Sequence, residues 1–201
     1  MHLLTVFSHP IASSYPAAVM SAFHDPFLAS GHTVDVLDLH REGFDPRFGE
    51  SDHAHFWGGP PPADIAATHR RVEAADRLAF VFPVYWWSMP ALLKGWIDRV
   101  FINGWAFEHS PASGLRPKLQ ALTTHLVPIA GDDSGAYERH GYEAAIRTQI
   151  EHGIVDYCGS RRGATAFIYE SEQDSSAATL RSVDQAVRII SGAIHAHSTR
   201  A

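Results

Sequence analysis

Only one cysteine, Cys158, stands among the 201 residues. An internal disulfide is therefore impossible, and a reducing cytoplasm is the compartment expected. No apolar run reaches the ~18 residues of a membrane-spanning helix. The opening stretch MHLLTVFSHP has neither a basic region nor a cleavage-site pattern, so no secretion signal is expected. Cationic side chains are in deficit, with 16 Lys and Arg against 22 Asp and Glu and a net charge of −6. A general nucleic-acid binder needs a basic face, and this balance argues against one. Glycine is missing where a dinucleotide fingerprint would need it, in the turn SHPIASSYP after the first apolar run, which argues against a Rossmann nicotinamide site. No G-x-S-x-G elbow occurs, which disfavours a hydrolase. The pairs His53/His55 and His195/His197 lack further convergent ligands, so they read as solvated histidines and no metal is expected.

What is present is a chain that is 45% hydrophobic, enough for a globular core. It reads as one domain over residues 1–201. Leu3–Phe7, Thr33–Leu39, Leu78–Phe82, Leu119–Ile129 and Gly163–Tyr169 are predicted strands. Between them, a helix around Val19, Ala22 and Phe23 stops at Gly31, with Pro26 interrupting or kinking it near its end. Residues 40–63, rich in Gly, Pro and His, read as an irregular excursion. Further helices are predicted over 63–76 and 142–157. The stripe Leu92, Leu93, Trp96, Ile97, Val100 and Phe101 gives another, and Leu180 to Ile194 a long closing one. Strands that are apolar throughout, alternating with helices, imply a sheet buried on both faces. The fold expected is α/β: a flavodoxin-like, doubly wound, five-stranded parallel sheet of order 2-1-3-4-5. Ligands bind such sheets beyond the carboxyl ends of the strands, so the loops after Phe7, Phe82 and Ile129 should share one crevice.

Each loop carries a distinct chemistry. The first offers His9 and the hydroxyls of Ser8, Ser13 and Ser14 at a helix N-terminus, which suits a phosphate; Ser13 or Ser14 could equally be the helix cap, and the two roles are compatible. The second, PVYWWSMP, is stiffened by Pro83 and Pro90. Its successive rings Tyr85, Trp86 and Trp87 cannot all enter one core, so a wall for a flat ring is the better reading than core or dimer interface. The third, PIAGDDSGAYERHGY, is flexible through Gly131, Gly135 and Gly141 and acidic through Asp132 and Asp133.

FPVYWWSMPALLKGWIDRVF closely resembles the hallmark segment of the NAD(P)H:quinone oxidoreductases, the flavodoxin-like family that includes DT-diaphorase. SHPIASSYP is similar to that family's first loop. The resemblance implies a homodimeric flavoprotein holding FAD or FMN, reduced by NAD(P)H and passing two electrons to a quinone-like acceptor by a ping-pong mechanism. It implies flavin phosphate contacts at His9, Ser14, Tyr15 and Pro16, although the family has asparagine where Pro16 stands. It places the isoalloxazine along Pro83, Val84, Tyr85, Trp86 and Trp87, largely through backbone groups. Trp105 and Phe107 would extend the aromatic pocket, which the partner subunit completes. The third loop keeps one glycine of the family's pair, as Gly131-Asp132. With Tyr137 and Gly141-Tyr142 it resembles the bacterial branch of ancillary reductases of glutathione-gated potassium efflux. Tyr137 would then hydrogen-bond the flavin pyrimidine end, with His140 as a second donor. Two alternatives stay open: a regulatory subunit of a membrane transporter with secondary reductase activity, and a flavodoxin-like fold that has lost its cofactor.

Overall fold

The computed structural model describes residues 1–112, 114–172, 184–185 and 187–189. In chain order these form β1 (His2–Phe7), α1 (Tyr15–Ala29), β2 (Thr33–Asp38), α2 (Glu50–Phe56), α3 (Ala63–Glu73), β3 (Arg77–Pro83) and α4 (Ala91–Val100). There follow β4 (Phe107–Ser110), β5 (Gly114–Pro117), β6 (Thr123–Ile129), α5 (Ser134–His140), α6 (Tyr142–Arg147), a π-helix (Thr148–Asp156) and β7 (Arg161–Thr165).

Strands β2-β1-β3-β6-β7 form one parallel sheet, the order expected. Alternate residues of the central strands feed opposite layers. Leu3, Phe7, Ala79 and Val81 pack with Val19, Phe23 and Phe27 of α1. Leu4, Val6, Phe80 and Phe82 pack with Leu93, Trp96 and Val100 of α4 and Val72 of α3. Every residue of β3 and β6 is buried, which is why neither strand alternates apolar with polar in sequence.

Local signals explain the helices. The Ser14 hydroxyl accepts from the Ala17 amide at the start of α1, and Pro16 sits in the first turn, where a missing N–H leaves no intrahelical bond unmade. At the other end Gly31 adopts φ 74°, while the His32 amide closes onto the Phe27 carbonyl at 3.0 Å. Pro26 does not interrupt α1. It lies inside the last turn, and the helix runs on to Ala29.

Several expectations are corrected. The 40–63 excursion contains α2, held by a cluster around the buried Arg99–Asp52 pair: Arg99 of α4 donates to Asp52 at 2.9 Å, to the exposed Asp64 at 2.8 Å and to the Asp45 carbonyl. Gly95 lets this segment close in, because a Cβ there would meet Pro46 at 2.4 Å. The fourth sheet strand begins at Thr123 rather than Leu119, since residues 119–122 make a turn whose Leu122 amide returns to the Leu119 carbonyl. The last strand begins at Arg161 and is irregular, so Ile168 returns to the sheet only through an isolated bridge to Ile129. The helix expected over 142–157 divides into α6 and the π-helix. The hairpin β4–β5 was not foreseen. The predicted closing helix lies largely outside the described residues; 184–185 and 187–189 are helical. Cys158 is buried, and burial pushes its thiol up to about 12, so it packs as a small apolar group. Among the described residues no helix is long and apolar enough to cross a membrane.

One buried group gives the fold a pH signature. His24 of α1 lies against β1, its Nε2 2.8 Å from the Thr5 hydroxyl, and burial pushes its pKa down to about 4. The unfolded chain binds this proton below about 6.5. Stability should therefore fall as pH drops from about 6.5 and level off near 4, by up to about 3 kcal/mol. His24→Gln should flatten that limb in urea unfolding measured at pH 7 and 4.5; an unchanged slope would contradict the assignment.

Candidate functional site

Parallel strands all end at one edge, and backbone bonds stitch the loops there side by side. The Ser8 amide donates to the Val81 carbonyl, Val84 to Ile129, Ala130 to Ile168 and Glu170 to Asp132. The loops after β1, β3 and β6 and the segment after β7 therefore share one rim.

On the first loop, His9 is half-buried, and its Nδ1 accepts from the Ile11 amide at 3.2 Å. The Ile11 carbonyl lies 3.2 Å from the same nitrogen, so Nδ1 is engaged by the backbone and Nε2 is the ring nitrogen left outside this pair. Ser14 caps α1, Tyr15 is half-buried and Pro16 is buried in the first turn. Burial pushes the Tyr15 phenol up to about 12. Ser8 is buried, and its hydroxyl has no hydrogen-bond partner among the described residues. A buried polar group without a partner is costly, which fits a hydroxyl kept for an acceptor on a ligand. A cleft of about 440 Å³ opens beside this loop, lined by Phe7, His9, Met20, Asp38, His40 and Arg41.

On the second loop, Pro83 is buried and Val84 half-buried, while Tyr85, Trp86 and Trp87 are 47%, 87% and 42% exposed. Tyr85 and Ser88 exchange two backbone hydrogen bonds of 3.0 and 3.1 Å. This leaves Trp86 and Trp87 as the two central residues of a tight reversal, with φ 49° and 55°. Such turns normally take Asn-Gly or Gly-Gly, and a bulky residue held left-handed costs about 1–2 kcal/mol. Strain of this kind persists where the surroundings over-determine it, and it clusters at functional sites. The turn's own bonds use only Tyr85 and Ser88, so the amides of Trp86 and Trp87 remain for solvent or a ligand.

The third loop is more ordered than its glycines suggest. Asp133 caps α5 by accepting from the Ala136 amide at 2.7 Å. Gly131 is half-buried, and a Cβ on it would meet the Glu172 carboxylate at 2.8 Å. Asp132 is exposed, and its carboxylate turns back to accept from the Asp133 amide. Gly141, with φ 70°, ends α5 and starts α6. That break brings Tyr142 against Trp87, with ring centroids 4.4 Å apart and planes at 29°. Tyr137 is buried against Tyr142, Phe167 and Tyr169. Burial chiefly, then the Asp132 charge, pushes its phenol up to about 12, so it stays a proton donor across the ordinary pH range. His140 is exposed and stacks on Tyr142 at 5.2 Å.

Of the residues singled out in sequence, the structure brings those of the three loops to one rim. Trp105 and Phe107 are not brought by this chain to the tryptophan wall. Trp105 stacks on His69 at 3.9 Å and donates to Glu73 in a pocket shared with Ala75 and Leu122, at the amino ends of the strands. Sequence reading had no role for Tyr169, Phe167, Glu143, Arg147 or Gln149. Tyr169 donates to Glu143 at 2.7 Å, and Arg147 bonds Glu143 and lies 5.5 Å over Phe167. The only cue in sequence was Tyr169 as the last apolar residue of a predicted strand.

A parallel sheet of this order, with hydroxyls on its first loop and a ring wall on its second, defines a flavodoxin-type α/β protein. The chain matches the flavodoxin-like fold family over residues 1–189. It is 30% identical over 179 residues to the orangutan (Pongo abelii) ribosyldihydronicotinamide dehydrogenase [quinone], covering 78% of this chain and 76% of that one. Two solved structures are similar. One is the NAD(P)H:quinone oxidoreductase of Methanothermobacter marburgensis, at TM-score 0.86 and 26% identity over 94% of each chain. The other is a Klebsiella pneumoniae protein described as a putative quinone reductase, at TM-score 0.83 and 26% identity over 94% of this chain and 83% of that one. The chain belongs to the flavodoxin-like NAD(P)H:quinone oxidoreductase family.

Because Trp86 is exposed and held at positive φ, Trp86→Asn should leave the unfolding midpoint unchanged or raise stability by up to about 1 kcal/mol, since asparagine tolerates the left-handed region. Thermal unfolding followed by far-UV circular dichroism checks this. A loss of several degrees would mean that the ring is packed.

Proposed function

We propose that the chain is a flavin-dependent, quinone-type oxidoreductase that takes its electrons from NAD(P)H. The observation that carries this reading is the left-handed Trp86–Trp87 turn, which presents an exposed ring and two amides outside the turn's own hydrogen bonds, on the same rim as the buried Ser8 hydroxyl, which has no partner among the described residues. A flat, hydrogen-bonding ring with a phosphate tail fits both halves of that arrangement. A flavin held there would supply the hydride-accepting and two-electron redox chemistry, while the chain's own residues bind and orient it.

The protein's part is binding and electrostatics. Ser8, His9 and Ser14 offer donors to the phosphate. Tyr15 and Pro16 shape the first turn of α1 beside the phosphate, and Pro16, lacking an N–H, offers no amide donor where the family has asparagine. Pro83, Val84, Tyr85, Trp86 and Trp87 form the wall for the ring, with the amides of Trp86 and Trp87 as its donors. Gly131 and Asp132 line the third side. The Tyr137 hydroxyl, protonated throughout the working range, is the donor for charge that develops at the pyrimidine end on reduction, and exposed His140 is a second donor. Reductant and acceptor use this one face in turn, which makes the kinetics ping-pong.

The further reading is a single flavodoxin-like domain over 1–201, acting as a homodimer in the cytoplasm. The family's partner subunit completes the pocket, consistent with Trp105 and Phe107 lying away from this chain's own wall. The relatives reported above are reductases, and the transporter-subunit alternative takes no support from them.

The purified protein should carry, or take up, a flavin absorbing near the visible band, bleached anaerobically by NADH or NADPH and restored by a quinone. A colourless chain that neither FMN nor FAD reconstitutes would overturn the reading. Tyr137→Phe should lower steady-state turnover roughly 10- to 100-fold at unchanged flavin content; turnover within twofold of wild type would remove Tyr137 from that role.

A further inference from the structure

The Trp86–Trp87 turn is a sequence at odds with its own backbone. Both central residues are bulky, and both are held at positive φ. Trp86 itself is 87% exposed, and its one ring contact among the described residues is edge-on to Trp87, at 5.7 Å. Nothing within the turn beyond the Tyr85–Ser88 pair holds it left-handed.

The restraint comes from a distant part of the chain. Tyr142, the first residue of α6, lies against the Trp87 ring. The Ser88 hydroxyl donates to the side-chain oxygen of Gln149 at 2.5 Å. Gln149 is the second residue of the π-helix Thr148–Asp156. In a π-helix the backbone bonds span five residues, so the side chains after its start are rotated from where an uninterrupted α-helix would point them; such segments are rare and concentrate at functional sites. Here the change of helix type coincides with the side chain that reaches the turn. Two consecutive helical elements, α6 and the π-helix, thus grip two successive residues of the turn, Trp87 through a ring face and Ser88 through a hydroxyl.

We propose that Gln149, acting with Tyr142, is a positioning residue for the ring-binding turn: it holds Trp86 and Trp87 in the left-handed conformation that exposes their amides. This rests on the flavin reading for its consequence, while the clamp belongs to the chain itself. If loss of the clamp leaves the competent turn populated in about one molecule in ten, apparent affinity at that wall falls about tenfold.

The test compares Gln149→Ala, Gln149→Glu, Ser88→Ala and the Ser88→Ala/Gln149→Ala double variant. Gln149→Glu keeps an oxygen able to accept from Ser88. Gln149→Ala and Ser88→Ala should each raise the Kd for flavin about three- to tenfold, and the double variant should be no worse than either. Gln149→Glu should return to within twofold of wild type. In the flavin-free full chain, the near-UV circular dichroism of the aromatic cluster should change in Gln149→Ala and Ser88→Ala and be retained in Gln149→Glu. Additive effects, a Gln149→Glu as weak as Gln149→Ala, or unchanged near-UV spectra would each overturn the proposal. Should Gln149→Ala unfold, Ser88→Ala alone decides, since it removes only the donor oxygen. If wild type binds no flavin, the flavin reading fails, and the spectra of the flavin-free chain still judge the clamp.

Discussion

β3 is paired in parallel with β1 on one side, from Arg77 to Val81, and with β6 on the other, from Arg77 to Pro83. Parallel neighbours cannot be joined by a tight turn; each pair needs a crossover that covers a face of the sheet. That constraint buries β3 on both faces, forces α1, α3 and α4 into layers, and sends every strand's carboxyl end to the same rim. The chemistry then depends on what the loops at that rim carry. Here they carry hydroxyls after β1, rings after β3, and a capped helix with a buried phenol after β6.

The rim combines rigidity with stored strain. Pro83 and Pro90 fix φ at both ends of the aromatic loop, the Val84 amide ties it to β6, and Tyr142 and Gln149 hold its far side. Between these anchors two tryptophans sit where glycine would be comfortable. Electrostatics at the third loop point the same way. The Tyr137 phenol is held protonated by burial and by Asp132. Glu143, pushed up by burial, is held below its usual range overall by hydrogen bonds from Tyr169 and Arg147. Tyr137 thus stays a proton donor, and Glu143 stays an anion whose charge is answered by Arg147 and the Tyr169 hydroxyl.

Sequence made the sheet legible because its central strands β1 and β3 are apolar runs and its main helices are periodic, and both patterns survive in the structure. The α4 stripe, the burial of Phe80 and Phe82 and the strand order follow from composition and spacing alone. Three kinds of feature were not legible. α2 carries little apolar signal, because it is held by the Arg99–Asp52–Asp64 cluster, whose members lie far apart in the chain. The π-helix differs from an α-helix by its backbone register, which no residue pattern announces. The left-handed turn was hidden because Trp-Trp is a poor sequence for it; the rings were visible as a wall, their backbone was not. Likewise Trp105 read as a neighbour of that wall, yet α4 carries it to the opposite end of the sheet.

The central claim is that the three carboxyl-edge loops form one binding surface whose ring wall is the Trp86–Trp87 turn. Hydrogen–deuterium exchange with and without saturating flavin tests it most directly. Protection should appear together in peptides spanning residues 8–16, 83–88 and 131–142, and be absent around Trp105 and Leu119–Leu122. Protection concentrated at the Trp105 pocket, with exchange at 83–88 unchanged, would contradict it.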